Sequence, residues 1–208
     1  MEDELPFKYV GGDASLDLVN TVDWTRHGLI QERLTDYARL TRWAEGAGVL
    51  SKADAQALRR KATAKPAEAK RAHEAALRLR DVLQRLYASI AAGKRSDPAW
   101  EELNGLLGEA LRHLRVSPLR KGQAVAEWEW HGVEEILESV LWPVLRSAAN
   151  LVTSDEARRI RVCGSPDCGW MYVDRSRNGL RRWCQMETCG TIEKSRRRSE
   201  RTRMGVPG

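Results

Sequence analysis

Four cysteines are the residues most able to do chemistry in this chain, and they fall in one order: Cys163-x4-Cys168, fifteen residues, then Cys184-x4-Cys189. Two short-looped pairs separated by a small hairpin's length suit a tetrahedral d10 ion with sulfur at about 2.3 Å. The spacing therefore predicts one structural zinc held by Cys163, Cys168, Cys184 and Cys189. Four thiolates leave no open coordination position, so the metal would fold the segment and perform no reaction. The alternatives are two disulfides or four unrelated thiols. Disulfides belong to small secreted chains, and the acidic N-terminus here is not followed by a charged-then-apolar run with a cleavage site.

The elements that must position these thiols can be read from the residues around them. Trp170-Met171-Tyr172-Val173 is strand-like, Arg181-Arg182-Trp183 is placed to run back beside it, and Ser176-Arg177-Asn178-Gly179 has the composition of a tight turn. From Glu193 to Met204 there is neither proline nor glycine, which predicts a helix starting just after the second pair.

Charge singles out the same stretch. Residues 155–208 hold 13 Lys+Arg against 7 Asp+Glu, whereas residues 1–154 hold 22 of each, so the whole net charge of +6 lies in the last quarter. Such a patch attracts polyphosphate by counterion release. Lys194, Arg197, Arg198 and Arg201 recur at helical spacing and predict one basic stripe. Arg175, Arg177, Arg181 and Arg182 on the hairpin add a second. A solvated basic tail is the plainer reading of the charge taken alone.

From Cys168-Gly169-Trp170 through Arg175-Ser176-Arg177-Asn178-Gly179 and Arg181-Arg182-Trp183-Cys184 to Cys189-Gly190, the chain resembles the CGNR-type zinc finger of bacterial proteins. Gly11-Gly12 followed by Leu16-Asp17-Leu18-Val19-Asn20-Thr21-Val22-Asp23-Trp24 resembles the opening of the ABATE domain that precedes such fingers. The resemblance implies a stress-induced transcription regulator that binds DNA through the finger. One departure stands out: the Cys-Gly-Asn-Arg signature reads Cys189-Gly190-Thr191-Ile192. The metal ligand and glycine survive, while an amide and a guanidinium suited to phosphate or base contacts are lost.

The preceding 154 residues read as the larger of two domains, 1–154 and 155–208. The composition, rich in Ala, Leu and Arg with one Phe and 42% hydrophobic, favours helix over sheet. No apolar run approaches the roughly 20 residues of a membrane span, and a cytoplasmic location is expected. Phe7 to Val10 is a candidate strand, and Asp13 or Ser15 should cap a helix running to about Thr25. On that helix Asp17, Asn20 and Trp24 would share a face as candidate ligand contacts, although a structural amide is the commoner role for a buried asparagine. Helices are expected from Leu34 to Ala47, from Ser51 to Ala64 and from Pro66 to Gly93, the last carrying an apolar stripe through Ala72, Leu79, Leu83 and Ile90.

Asp97-Pro98 should open another helix. Val125 to His131 alternates as a half-buried strand with Trp128 and Trp130 inward, paired with Leu111 to Val116. Val133 to Leu151 should return to helix with a kink at Pro143. The expected architecture is thus mainly α with small β elements (α+β): a helical domain carrying a β-hairpin, and a treble-clef-like or ribbon-like zinc finger with four cysteine ligands.

For function, the four histidines lack ligand spacing, and no phosphate-cradling loop, nucleophile elbow or HExxH pair occurs. The expectation is no enzyme. It is instead a zinc-dependent regulator in which Arg177, Arg181, Arg182, Lys194, Arg197, Arg198 and Arg201 contact DNA while the helical domain receives a small-molecule signal or forms a homodimer. The alternative is a zinc-stapled sensor or protein-interaction module that binds no DNA. RNA binding is a third reading.

Overall fold

The computed structural model describes residues 6–25, 28–95, 97–118 and 125–203. Asp13 caps α1 (Ala14–Val19) by accepting the Ser15 N–H. The helix stops there, short of the expected Thr25. β-Branched Thr21, Val22 and Thr25 instead feed an antiparallel hairpin of β1 (Val22–Thr25) and β2 (Gly28–Glu32), with an irregularity between Asp23 and Trp24. Phe7 to Val10 is in no strand.

Asp36 caps α2 (Tyr37–Gly46), and Ser51 caps α3 (Lys52–Ala64) while donating its hydroxyl to Asp54, the expected capping-box variant. Pro66 opens α4 (Pro66–Ala91), and Gly93, at φ +64°, closes it. This helix packs against α1, α2, α3 and α5 (Asp97–Leu111), so its stripe of Ala72, Ala76, Leu79, Leu83 and Leu86 is the spine of the core. Each such leucine contributes about 1.5–3 kcal/mol by leaving water.

One member of α4 breaks the apolar pattern: Arg80 is 4% exposed. Its guanidinium holds Glu32 on β2 by two bonds of 2.7 and 2.6 Å and donates to Thr21 Oγ1 at 3.1 Å. A buried charge is tolerated when paired and hydrogen-bonded in this way, and the clamp fixes the β1–β2 hairpin to the core.

The next hairpin differs from expectation in burial rather than in pairing. β3 (Leu114–Ser117) lies antiparallel to β4 (Glu127–Trp130), with Leu114 opposite Trp130 and Val116 opposite Trp128. The Leu114–Trp130 end packs on the body, where Trp130 meets Trp142 and His113 stacks on Trp142 at 4.0 Å. Trp128 stays 58% exposed, with the Arg146 guanidinium over its ring.

Pro143 does not kink a long helix. Two 3₁₀ turns (Val133–Glu135 and Leu137–Leu141) precede it, and it occupies the first turn of α6 (Trp142–Thr153), where its missing N–H costs nothing.

Ser154 caps a 3₁₀ turn (Asp155–Arg159) that leads into β5 (Ile160–Val162). β5 pairs antiparallel with β6 (Met171–Val173). This corrects the expectation that Arg181 to Trp183 would be the partner; that segment is no strand, and its links to the hairpin are the Arg182 carbonyl, which accepts the Gly164 N–H at 2.8 Å, and the Arg181 carbonyl, which accepts the Tyr172 hydroxyl at 2.7 Å. All three β6 residues are buried. Met171 and Val173 join the helical core with Ile160, while Tyr172 turns the other way into a small cluster with Trp170, Cys163 and Cys184. The period-2 alternation of one strand thus serves two cores. α7 (Thr191–Arg203) ends the described chain.

Candidate metal centre and basic surface

Cys163 follows β5, its N–H bonded to Trp170 O at 2.8 Å, and Cys168 closes the intervening turn onto Ser165 O. The first pair therefore sits on a hairpin knuckle. Cys184 and Cys189 flank the entry to a π turn (Met186–Gly190) that runs directly into α7. A knuckle plus a pair at a helix start is the treble-clef-like arrangement of the two expected. A Cβ at Gly190 would lie 2.6 Å from Met186 Sδ and 3.1 Å from Trp183 Cδ1, so a side chain there would displace the half-exposed Met186 and crowd Trp183.

All four sulfurs lie within 4.8 Å of one another, with Cys168–Cys184 at 3.7 Å and Cys184–Cys189 at 3.6 Å. A tetrahedron with about 2.3 Å bonds requires about 3.8 Å between sulfurs, whereas a disulfide needs about 2.05 Å. The cysteines are unpaired and can hold a metal ion.

Electrostatics points the same way. Hydrogen bonds from Cys168 and Cys184 pull the Cys163 thiol far below its ordinary value. Bonding to that sulfur pushes Cys168 and Cys184 up, and burial raises Cys189. Four crowded thiols cannot all ionise together, and a divalent cation at their centre removes the conflict. The Cys184 N–H already points at Cys163 Sγ, 3.4 Å away.

Cations from the helical body lie beside this centre. Arg33 is 7% exposed, pairs with Asp23 at 2.8 Å, and sits 5.3 Å over the Trp170 ring, with Lys8 at 5.9 Å. Arg33, Lys8 and Trp170 line a cavity of about 320 Å³ together with Cys168, Cys184 and Cys189. Two of the Arg33 guanidinium nitrogens, Nε and Nη1, have no hydrogen-bond partner among the described residues. A buried cation so placed favours the net negative charge that a divalent ion with four thiolates carries.

Two family models match this chain. One, ABATE, described as "Putative stress-induced transcription regulator", covers residues 12–155. The chain belongs to the ABATE family. The second, the CGNR zinc finger, covers residues 159–202 and so includes all four thiols and most of the basic segment. No curated protein matches the chain. Neither family description names an enzymatic activity. No helix among the described residues is long and apolar enough to cross a membrane.

The basic residues of this ABATE-family chain separate into two groups. Arg177, Arg182, Lys194, Arg197 and Arg198 are exposed, and the side chain of Arg201 lies outside the described residues. Arg181 is half-buried: its guanidinium stacks on Tyr172 at 4.0 Å and donates to the carbonyls of Val10, Trp183 and Cys184. Those bonds tie the second cysteine pair to the N-terminal segment. Arg175 is held by Glu156 through bonds of 2.5 and 2.7 Å.

The three candidate ligand contacts do not share a helix, because α1 ends at Val19. Asn20 donates to Met171 O and accepts from Met171 N, both at 2.8 Å, and so acts as a two-bond staple between α1 and β6. Asp17 accepts the Gly11 N–H at 2.8 Å, and burial pushes its carboxyl up to about 6. The Trp24 side chain lies outside the described residues.

Several structural residues escape a reading of the sequence. Asp174 is fully buried and accepts from Ser176 N, Ser176 Oγ and Arg181 N. Asp-x-Ser is Asx-turn chemistry, so the sequence does carry a signal for it. Arg33 and Arg80 have no such signal.

Proposed function

We propose that this protein is a zinc-dependent, DNA-binding transcription regulator. Its residues 155–208 form the finger that contacts DNA, and residues 1–154 receive a small-molecule signal or form a homodimer. The observation that supports the reading is a thiol cluster of zinc-binding dimensions in the same segment as exposed Arg177, Arg182, Lys194, Arg197 and Arg198. Cations on a rigid base contact phosphate with little ordering cost. A structural zinc suits four thiolates and no open position.

The test is binding of metal-loaded protein to duplex DNA and to structured RNA across a salt series, with an Arg197→Ala/Arg198→Ala/Arg201→Ala variant. The expected result is duplex binding whose salt slope flattens by about 2.7 in the variant. No binding at moderate salt with zinc retained would refute it.

A second reading treats the finger as a staple and protein-interaction surface. Thr191 and Ile192 favour it, for they stand where the signature has Asn and Arg. Thr191 Oγ1 donates to Met186 O at 3.2 Å, and Ile192 presents an apolar side chain at 61% exposure.

A further inference from the structure

Between β6 and Cys184 the chain builds a projection whose rigidity and composition are at odds with a plain connecting loop. Its base is the buried Asp174 carboxylate, bonded to Ser176 N at 2.9 Å, Ser176 Oγ at 2.6 Å and Arg181 N at 3.1 Å. Ser176 O accepts from Gly179 N, and Ser176 Oγ accepts from Leu180 N at 3.2 Å. Gly179 takes φ +63°, which lets the chain reverse without strain. On the return side Tyr172 Oη donates to Arg181 O at 2.7 Å, and the Arg181 guanidinium is fastened to three carbonyls.

What this framework holds out is Leu180, at 74% exposure, between exposed Arg177 and Asn178 on one side and Arg182 on the other. Leu180 and Arg182 also border a cleft of about 590 Å³ with Trp183 and with Met186, itself 47% exposed. A lone exposed leucine needs no explanation. A leucine held just past a hydrogen-bonded turn, with exposed Arg177, Asn178 and Arg182 close to it in sequence, is different, and neither apolar cluster includes it.

We propose that this projection enters the minor groove of duplex DNA, with Leu180 wedged between base pairs and Arg177, Asn178 and Arg182 on the groove walls. The inference rests on the DNA-binding reading above and names the geometry of that contact. Arginine and asparagine read the acceptors of the minor groove, and an aliphatic wedge unstacks a step and bends the duplex toward the major groove. A deformable pyrimidine–purine step makes that insertion cheapest. The basic α7 then supplies backbone contacts and carries less of the sequence reading.

The experiment uses the full metal-loaded chain and an end-labelled duplex of about 30 base pairs with a central TA step, at about 50 mM salt. Energy transfer between the ends reports bending, and 2-aminopurine beside the step reports unstacking. Wild type should raise both signals. Leu180→Ala should abolish both while keeping affinity within about tenfold, and Leu180→Phe should restore them. Arg177→Ala/Arg182→Ala should lower the salt slope by about 1.8. A bound duplex that stays straight, equal bending by Leu180→Ala, or tighter binding of the single strand overturns the wedge and leaves DNA binding intact. Absence of duplex binding overturns the DNA reading and the wedge with it.

Discussion

The helical body and the finger are stabilised by different means within one chain. In the body, α4 alone buries Leu79, Leu83 and Leu86 among several other helices, and apolar burial suffices to hold the fold. The finger's own cluster centres on Trp170, Tyr172 and the thiols Cys163 and Cys184. A cluster so small gives a segment little stability by itself, and a metal or a borrowed surface would add to it. The means for both are present: four sulfurs spaced for one ion, and a strand, β6, whose Met171 and Val173 belong to the body's core. The difference leads to the expectation that the order of the cysteine-bearing segment depends on a bound metal more than that of the helical body does.

Metal removal should break the comparison most sharply. Chelation is expected to withdraw on the order of 10 kcal/mol of folding free energy from the finger. The far-ultraviolet helical signal should persist while Trp170 becomes exposed and the chain beyond about residue 160 becomes protease-sensitive. Cooperative loss of the whole helical signal would show instead that the body has no stability of its own.

A smaller effect is expected at the joint. Asn20→Ala leaves the Met171 N–H and C=O unpaired in a buried place, a cost of about 2–4 kcal/mol. Urea titration should show it, and the metal should remain bound. A loss under about 0.5 kcal/mol would mean that the core contacts of β6 alone seat the finger.

The mildest effect depends on pH. Asp17 faces the Gly11 N–H and, at a distance, the Asp13 carboxylate, and its folded value of about 6 lies above the ordinary 3.8. Its contribution to stability is therefore complete below about pH 4 and is lost as pH rises through about 6, a change of about 2–3 kcal/mol. Asp17→Asn keeps an acceptor for Gly11 but cannot ionise. The stability difference between variant and wild type should widen in the variant's favour over that interval, and parallel curves would sink the assignment. Gly11, whose N–H Asp17 accepts, also takes the Val173 N–H on its carbonyl at 2.8 Å.

Sequence signals hold wherever their cause is local. The capping box at Ser51, the α4 stripe with its closing Gly93, the strands of the β3–β4 hairpin and the cysteine spacing all follow from neighbours in sequence. They fail where distant groups compete. The helical pattern carries α1 too far because Asn20 finds its partners 151 residues away, which no local periodicity can register. Trp128 shares the face of Trp130 yet stays largely exposed, because alternation gives a face without saying how much of it the body covers.

The amino-acid sequence by itself determined which four thiols could share a metal, the segregation of positive charge into the last quarter, the helical class and the family. These depend on residue type and spacing, which survive any arrangement of the elements. Only the tertiary structure decided which cations face outward and which are spent inside. Arg177 and Arg182 are exposed, whereas Arg181 is consumed by three carbonyls and Arg33 is buried over Trp170 beside the thiols. An arginine's role is set by whichever acceptor or ring the fold brings within reach of its long side chain, and that neighbour is distant in sequence.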